Sequence, residues 1–192
     1  MKKLTIIAMT ALICMSCASK KAAAPAAQNP GYSRVKIEVP CKEFGFDNAE
    51  YFRGTGTATA SNQQNARRAA LQNAKAMVRE KLGGFVSGLS TDYSRNFAGE
   101  AQAAKVQSAI EGEFATLVEK ELNDAEQTCE DGYVLSDGLF EYWIAIQIPK
   151  QKLIEDLTSK LSSNEELEIE FNRDQFRKYA EEKMAKMKAA QE

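Results

Sequence analysis

The segment from Tyr51 to Ala60 constrains the fold more than any other part of this chain. Its residues alternate between two faces, as they do in a β-strand. After Phe52, one face carries only small residues, namely Gly54, Gly56, Ala58 and Ala60. Such a face lets another backbone approach closely. The segment therefore predicts a strand with a second element packed tightly against one side.

The helix that follows this strand is its expected packing partner. Ser61 with Gln64 three residues later forms a capping-box pattern. Small and apolar residues then recur at helical spacing, at Ala66, Ala70, Leu71, Ala74, Met77, Val78 and Leu82. The pair Gly83-Gly84 is predicted to end this helix. An Ala-rich helix is thus expected to lie on the Gly/Ala face of the strand.

The periodicity of apolar residues predicts the other elements. Before the small-residue strand, Arg34 to Val39 alternates like a half-buried strand, and a loop follows at 41–50. Residues 85–99 keep only a rough helical rhythm. Later, the pattern predicts a helix at about 100–122, strands at 125–135 and 139–148 joined by a turn at 136–138, and a helix at 150–161. A possible interruption at Asp131-Gly132 marks the first of these two strands.

These elements predict an α+β fold. Their order is β-β-α-α-β-β-α-α, which favours a small antiparallel sheet with helices packed on one face. Residues 163–192 form a charged, helix-prone C-terminal tail whose apolar stripe is weak. Docking, projecting and fraying all remain open for this tail.

The N-terminus has the features of a lipoprotein signal peptide. Lys2 and Lys3 precede an apolar stretch of twelve residues, which is too short to span a bilayer. The following Cys14-Met15-Ser16-Cys17 resembles a bacterial lipobox, in which the last cysteine is diacylated after cleavage. The alternative is an ordinary secreted protein that is cut elsewhere in this region. Cys17 is therefore the expected lipidation site and the link to a lipid bilayer.

Four regions of the chain follow from this interpretation: a signal peptide at 1–16, the lipidated Cys17 with a disordered tether at 17–33, an α+β domain at 34–162 and the tail at 163–192. The tether is rich in Ala, Pro and Lys, so it cannot bury a core. Ala18 after the lipidated cysteine resembles the sorting signal for the outer membrane. The periplasmic face is expected there, with surface exposure as the alternative.

The cysteines predict a disulfide. Cys14 leaves with the signal peptide and Cys17 is acylated, so Cys41 and Cys129 are an even pair in an oxidising compartment. Two buried free thiols are the alternative. Because the two are far apart in sequence, they do not suggest a metal site.

One resemblance adds to this interpretation. Arg53-Gly54-Thr55-Gly56-Thr57-Ala58, together with Ala66-Arg67-Arg68-Ala69-Ala70 and Ala74, resembles the core motif of the LPP-twenty lipoprotein family. That family is related to the amino-terminal domain of the flagellar accessory protein T. The later Tyr142-Trp143-Ile144-Ala145-Ile146 is similar to the closing strand of the family. The resemblance implies a compact, non-enzymatic envelope domain and transfers no catalytic residue.

The composition argues against most chemistry. The chain contains no histidine, which excludes His-based triads, His general bases and His-ligated zinc. The Gly54–Thr59 segment lies too far before the helix start to be a dinucleotide loop. We expect no catalytic residue, cofactor or metal. The near balance of 25 basic and 27 acidic side chains argues against nucleic-acid binding.

A possible partner surface is the last feature of the sequence. The predicted first helix carries a basic face to which Arg67, Arg68, Lys75 and Arg79 belong, and Trp143 could add an aromatic contact. A solvated face, with Trp143 packed under the last helix, is the alternative. The expected function is an interaction or assembly module that binds another envelope protein. A small-ligand- or glycan-binding lipoprotein is the alternative function.

Overall fold

The computed structural model describes residues 38–164 and 172–189, which form helices packed on an antiparallel sheet. The elements are β1 Tyr51–Ala60, α1 Gln63–Phe97, α2 Ala103–Asn123, β2 Glu126–Val134, β3 Phe140–Pro149, α3 Lys150–Ser162 and α4 Arg173–Ala189, with a 3-10 turn at Lys42–Phe44. This is the predicted α+β class, in the predicted order from the second strand onward. The signal peptide, Cys17, the tether and residues 34–37 of the predicted first strand lie outside the described residues.

The strand predicted at 139–148 is the centre of the sheet. The order β1-β3-β2 places β3 between two antiparallel neighbours. Gly56 pairs with Ile144 on one side, and Glu130 pairs with Ile144 on the other. Burial on both faces follows: Ile144 and Ile146 face α1, while Ala145 is buried on the opposite side. The predicted interruption of β2 at Asp131-Gly132 was misplaced, because the register shift lies between Gln127 and Cys129.

Helix α1 packs directly on β1 and β3, as the Gly/Ala face predicted. A Cβ atom on Gly54 would lie 2.7 Å from Cγ2 of Val78 and 2.9 Å from the carbonyl oxygen of Ala74. These distances are shorter than real Cβ contacts, so only glycine fits under the helix here. The small residues therefore set the distance between the sheet and α1.

The predicted bounds of α1 were wrong at both ends. Asn62, rather than Ser61, caps the helix: its side-chain oxygen accepts hydrogen bonds from the backbone N–H of Gln64 and Asn65. The helix also continues through Gly83-Gly84 to Phe97. Each helical glycine costs up to about 1 kcal/mol. Burial of Phe85, Val86 and Leu89 in the core beyond the pair exceeds that cost.

The C-terminal tail docks. Helix α4 packs against α3 and α1, and Phe176 and Ala180 are fully buried. The ring of Phe176 lies edge-on to that of Tyr93, with their centroids 5.1 Å apart. Lys183 Nζ adds an ion pair with Asp92 of α1 at 2.5 Å. The weak apolar stripe of α4 is therefore sufficient for docking, because a few of its large side chains pack against an aromatic cluster on α1.

Candidate functional site

Cys41 and Cys129, the pair proposed from the sequence, are bonded to each other. Their Sγ atoms lie 2.04 Å apart, and the bond joins the segment before β1 to the edge strand β2. The Asp131 carboxylate lies 3.6 Å from Cys41 Sγ, so three atoms of a kind that can bind metals are close together. Sulfur atoms bonded to each other offer no thiolate, and thiolate is the metal ligand. In this state the cluster is a structural cross-link.

Two lysine side chains hydrogen-bond to residues 41–50, the segment that the disulfide joins to β2. Lys81 Nζ of α1 donates to the carbonyl oxygens of Gly45 and Arg53, at 3.3 and 2.6 Å, and to Asp47 Oδ1 at 3.0 Å. Lys150 Nζ donates to the carbonyl oxygen of Asn48 at 2.7 Å. Burial lowers the pKa of Lys150. The segment 41–50 is thus fastened to β2, to α1 and to the start of α3.

A groove of about 610 Å³ lies beside this segment. Apolar parts of Val39, Phe46, Thr55 and Met77 line it, together with Lys42, Gly45, Asp47 and Lys81. Gly45 makes the close approach possible, since a Cβ atom there would lie 2.0 Å from Thr55 Oγ1. Phe44 and Phe46, on either side of Gly45, remain exposed. The sequence predicts only a loop at 41–50, because apolar residues without periodicity do not indicate what surrounds them.

The five residues predicted as a partner surface do not form one surface. Arg67 makes two hydrogen bonds to the Glu130 carboxylate, at 2.6 and 2.9 Å, and Arg79 makes two to Glu119, at 2.9 and 3.0 Å. Among the described residues, exposed Arg68 and half-buried Lys75 have no ion pair. Two of the four cations are therefore already engaged within the domain.

The predicted aromatic contact lies elsewhere. Trp143 of β3 pairs with Thr57 and Asp131, and it points away from α1 because its neighbours Tyr142 and Ile144 point toward α1. Its Nε1 atom is buried without a hydrogen-bond partner in the described part of the chain. Trp143 and the basic residues of α1 are thus on opposite faces of the sheet.

The two arginines also lower the pKa values of the glutamates with which they pair. The hydrogen bonds from Arg67 hold the pKa of Glu130 below its ordinary value, and those from Arg79 do the same for Glu119. Both carboxylates are therefore ionised at neutral pH and bound to a cation. They act as structural ties rather than as general acids.

Most of the free edge of β1 is closed by hydrogen bonds. The Tyr51 N–H donates to Asn48 Oδ1, the Tyr51 carbonyl oxygen accepts from the Asn48 backbone N–H, and the Arg53 N–H donates to Asp47 Oδ1 at 2.7 Å. Lys81 covers the carbonyl oxygen of Arg53, as described above. Further along, the Thr55 N–H contacts Met77 Sδ at 3.4 Å, and Asn73 donates to the carbonyl oxygen of Thr57 at 2.7 Å. Most of this edge is thereby unavailable to another strand.

The free edge of β2 is different. In an antiparallel pair, successive residues direct their backbone N–H and C=O groups alternately toward the partner strand and away from it. Because the backbone groups of Arg53 point away from β3, the register fixes which residues of β2 direct theirs away from β3 on the other side. These residues are Glu130, Gly132 and Val134. Within the described residues, none of their outward backbone groups has a hydrogen-bond partner. Tyr133 and Val134 at this end are also exposed, at 46% and 70%.

A buried serine contacts a carboxylate where α1 meets α2. Ser90 donates to Glu111 Oε1 at 2.8 Å, and the same oxygen accepts from Gln107 at 3.0 Å. Ser90 Oγ also contacts the carbonyl oxygen of Ser87 within α1, whereas Glu111 and Gln107 belong to α2, so the bond to Glu111 ties α1 to α2. The arrangement of these side chains serves packing of the two helices.

Comparisons of the chain with protein-family models, with curated proteins and with solved structures found no match. In the described parts of the chain, no helix has both the length and the apolar character required to cross a membrane.

Proposed function

We propose that this chain is a non-enzymatic, membrane-anchored envelope lipoprotein that binds another envelope protein through the free edge of β2. The observation that carries this proposal is the difference between the two sheet edges: hydrogen bonds close most of the edge of β1, whereas within the described residues the outward backbone groups of Glu130, Gly132 and Val134 are unpaired. Domains usually protect their edge strands. An unprotected edge is the surface to which an extended segment of a partner adds as a further strand.

The charge around β2 indicates the chemistry of the partner. From Glu121 to Glu141 the chain contains seven carboxylates and neither lysine nor arginine. Glu121 is paired with Lys152 and Glu130 with Arg67, which leaves a net acidic edge beside the apolar Tyr133 and Val134. The matching partner is an extended segment that alternates Lys or Arg with apolar residues.

The proposed anchor would deliver the domain to its partner. Cleavage before Cys17 and acylation there would keep the domain at the envelope, and Ala18 favours the periplasmic face of the outer membrane. The disulfide between Cys41 and Cys129 suits that oxidising compartment. Membership of the LPP-twenty family, suggested by the strand-and-helix motif from Arg53 to Ala74, is part of the same proposal.

The alternative function, binding of a small ligand or glycan, has one supporting observation, the groove beside the segment 41–50. A glycan site needs aromatic platforms, and Phe46 is the one aromatic residue among the eight described residues that line the groove. The open edge of β2 therefore supports partner binding better than the groove supports ligand binding.

Site-specific photocrosslinking in the native envelope tests the proposal. A photoreactive amino acid replaces Tyr133 in the intact lipoprotein, and the same amino acid at exposed Thr59, on β1 at the same end of the sheet, is the control. We expect a discrete adduct from position 133 and none from position 59. Adding Val134→Pro, which removes one outward N–H, is expected to reduce the adduct about tenfold, since each lost backbone hydrogen bond weakens strand addition.

Two results would count against this function. Equal adducts at both positions would show that the edge of β2 has no special role, and an adduct insensitive to Val134→Pro would mean that strand addition is not the mode of binding. The thermal melt of the Val134→Pro variant verifies that the domain remains folded.

The anchor is tested separately, by the mass of the purified protein. The native chain is expected to begin at an acylated Cys17, and the Cys17→Ala chain is expected to carry no acyl group and to leave the membrane fraction. An acylated Cys17→Ala protein would refute the assignment.

A further inference from the structure

An exposed apolar patch lies beside Thr55, at the outer edge of β1. Phe44 is 42% exposed, Phe46 is 61% exposed, and Met77 of α1 is 41% exposed. Phe46 and Met77 line the groove of about 610 Å³, so apolar surface continues from these two side chains into it, and exposed Phe44 is two residues from Phe46 in the chain. Single exposed apolar side chains are common, but a continuous group of them marks an interaction site.

The exposure of the two phenylalanines is built into the fold. Gly45 between them is buried against Thr55, the disulfide fixes Cys41 on one side, and Lys81 holds the carbonyl oxygen of Gly45. Beyond Phe46, Asp47 and Asn48 are tied to Lys81 and Lys150. Since the backbone is held on both sides, the rings cannot turn inward by a simple movement of the loop.

The patch lies next to the point at which the described chain begins. Val39, the second described residue, lines the same groove as Phe46. Every residue before it, including Cys17, is joined to the domain through this point. Residues 18–37 are twenty residues, which span at most roughly 70 Å when fully extended. A domain attached to a bilayer at Cys17 is therefore attached beside its own apolar patch.

We infer that this patch, defined by Phe44, Phe46 and Met77, docks on the bilayer surface that carries the anchor. This inference rests on the lipidation in the proposed function. The two aromatic rings would enter the interfacial region, where amphipathic and aromatic groups are favoured. The charges beside them balance: exposed Lys42 is next to Glu43, and Lys81 is paired with Asp47. Docking is thus driven by apolar contact rather than by anionic lipid.

Docking in this way also orients the partner-binding edge. The patch lies beside Thr55 of β1, and the order β1-β3-β2 places the free edge of β2 on the opposite side of the sheet. Val134 belongs to that free edge. The exposed end of β2 would consequently point away from the bilayer and remain accessible to a partner.

Depth-dependent fluorescence quenching tests the docking. The mature chain with Cys17→Ala carries an N-terminal histidine tag, its sole source of histidine, and is attached to phosphatidylcholine vesicles through a nickel-chelating lipid. Phe46→Trp adds a second tryptophan to Trp143, and the parent chain supplies the background signal. The matched control is Tyr133→Trp, on β2 at the opposite edge of the sheet. We expect brominated phosphatidylcholine to quench the tryptophan at position 46 and not the one at position 133.

The same vesicles without the chelating lipid measure the strength of docking. Replacing both Phe44 and Phe46 with serine is expected to lower vesicle partitioning about tenfold, because the exposed aromatic area is lost. Raising the salt from about 0.05 to 0.5 M should leave partitioning unchanged, since screening acts only on charge.

Absence of quenching at position 46, or equal quenching at position 133, would overturn the inference. Partitioning that requires anionic lipid and is lost in salt would also overturn it. Since these vesicles do not depend on acylation, a failure of docking here is distinguishable from a failure of the proposed lipidation, which the mass of the native protein reports.

Discussion

A Cβ atom on Gly56 would lie 2.2 Å from the backbone nitrogen of Ala74 and 2.3 Å from the carbonyl oxygen of Ala70. These neighbours are backbone atoms of α1, which cannot rotate away as a side chain can. The closest approach of the sheet to α1 therefore occurs at Gly56, in the middle of β1.

Gly56→Ala is accordingly expected to destabilise the domain by about 3 kcal/mol, because a methyl group there forces α1 off the sheet. Urea denaturation followed by circular dichroism measures the change. A loss below about 0.5 kcal/mol would show that the contact between β1 and α1 is looser than the structure describes.

Gly84→Ala should have the opposite effect. Gly84 is exposed on α1, and a Cβ atom there meets nothing within 4 Å. Alanine removes the entropic cost of a helical glycine, so we expect a gain of about 0.5–1 kcal/mol in the same denaturation experiment. A destabilised Gly84→Ala variant would contradict the continuous helix and favour a break at Gly83-Gly84.

The disulfide is expected to contribute about 4 kcal/mol, because Cys41 and Cys129 are 88 residues apart and the bond restricts the unfolded chain. Replacing both cysteines with serine should lower the free energy of unfolding by that amount, and a thiol reductant should do the same to the native domain. The variant with both cysteines replaced is the control, because a reductant should not change its free energy of unfolding. Equal stability of the oxidised and reduced native domain would contradict this expectation.

The ion pair between Arg67 and Glu130 should make stability depend on acidic pH. Its hydrogen bonds lower the folded-state pKa of Glu130 below the ordinary value of 4.5. The stabilisation is thus complete above that value and is lost as the pH falls through the lower, folded-state pKa. We expect roughly 0.5–1 kcal/mol at neutral pH, since both side chains are partly exposed.

A double-mutant cycle with Arg67→Gln and Glu130→Gln isolates this contribution, measured by denaturation at pH 7 and at pH 3. The coupling energy should be smaller at pH 3 than at pH 7. A coupling that is the same at both pH values would show that the charge on Glu130 is not its source.

Docking of α4 should depend on Phe176. Phe176→Ala empties a fully buried site next to Tyr93, so we expect a loss of about 3–4 kcal/mol and faster proteolysis within α4. Arg177→Ala, at the exposed neighbouring position, is the control and should change stability by less than about 0.5 kcal/mol. If α4 stays resistant to protease in the Phe176→Ala variant, the aromatic cluster does not hold the tail.

The sequence by itself determined the α+β class, the small-residue face of β1, the existence of strand β3 and the choice of Cys41 and Cys129 as partners. These features depend on local periodicity or on counting, so they can be read without coordinates. Tertiary structure alone decided that α1 runs through Gly83-Gly84, because burial of Phe85 and Leu89 outweighs the local helix-ending signal. It also decided that most of the β1 edge is hydrogen-bonded, whereas Val134 at the β2 edge has no outward partner among the described residues, since a strand's neighbours come from distant parts of the chain.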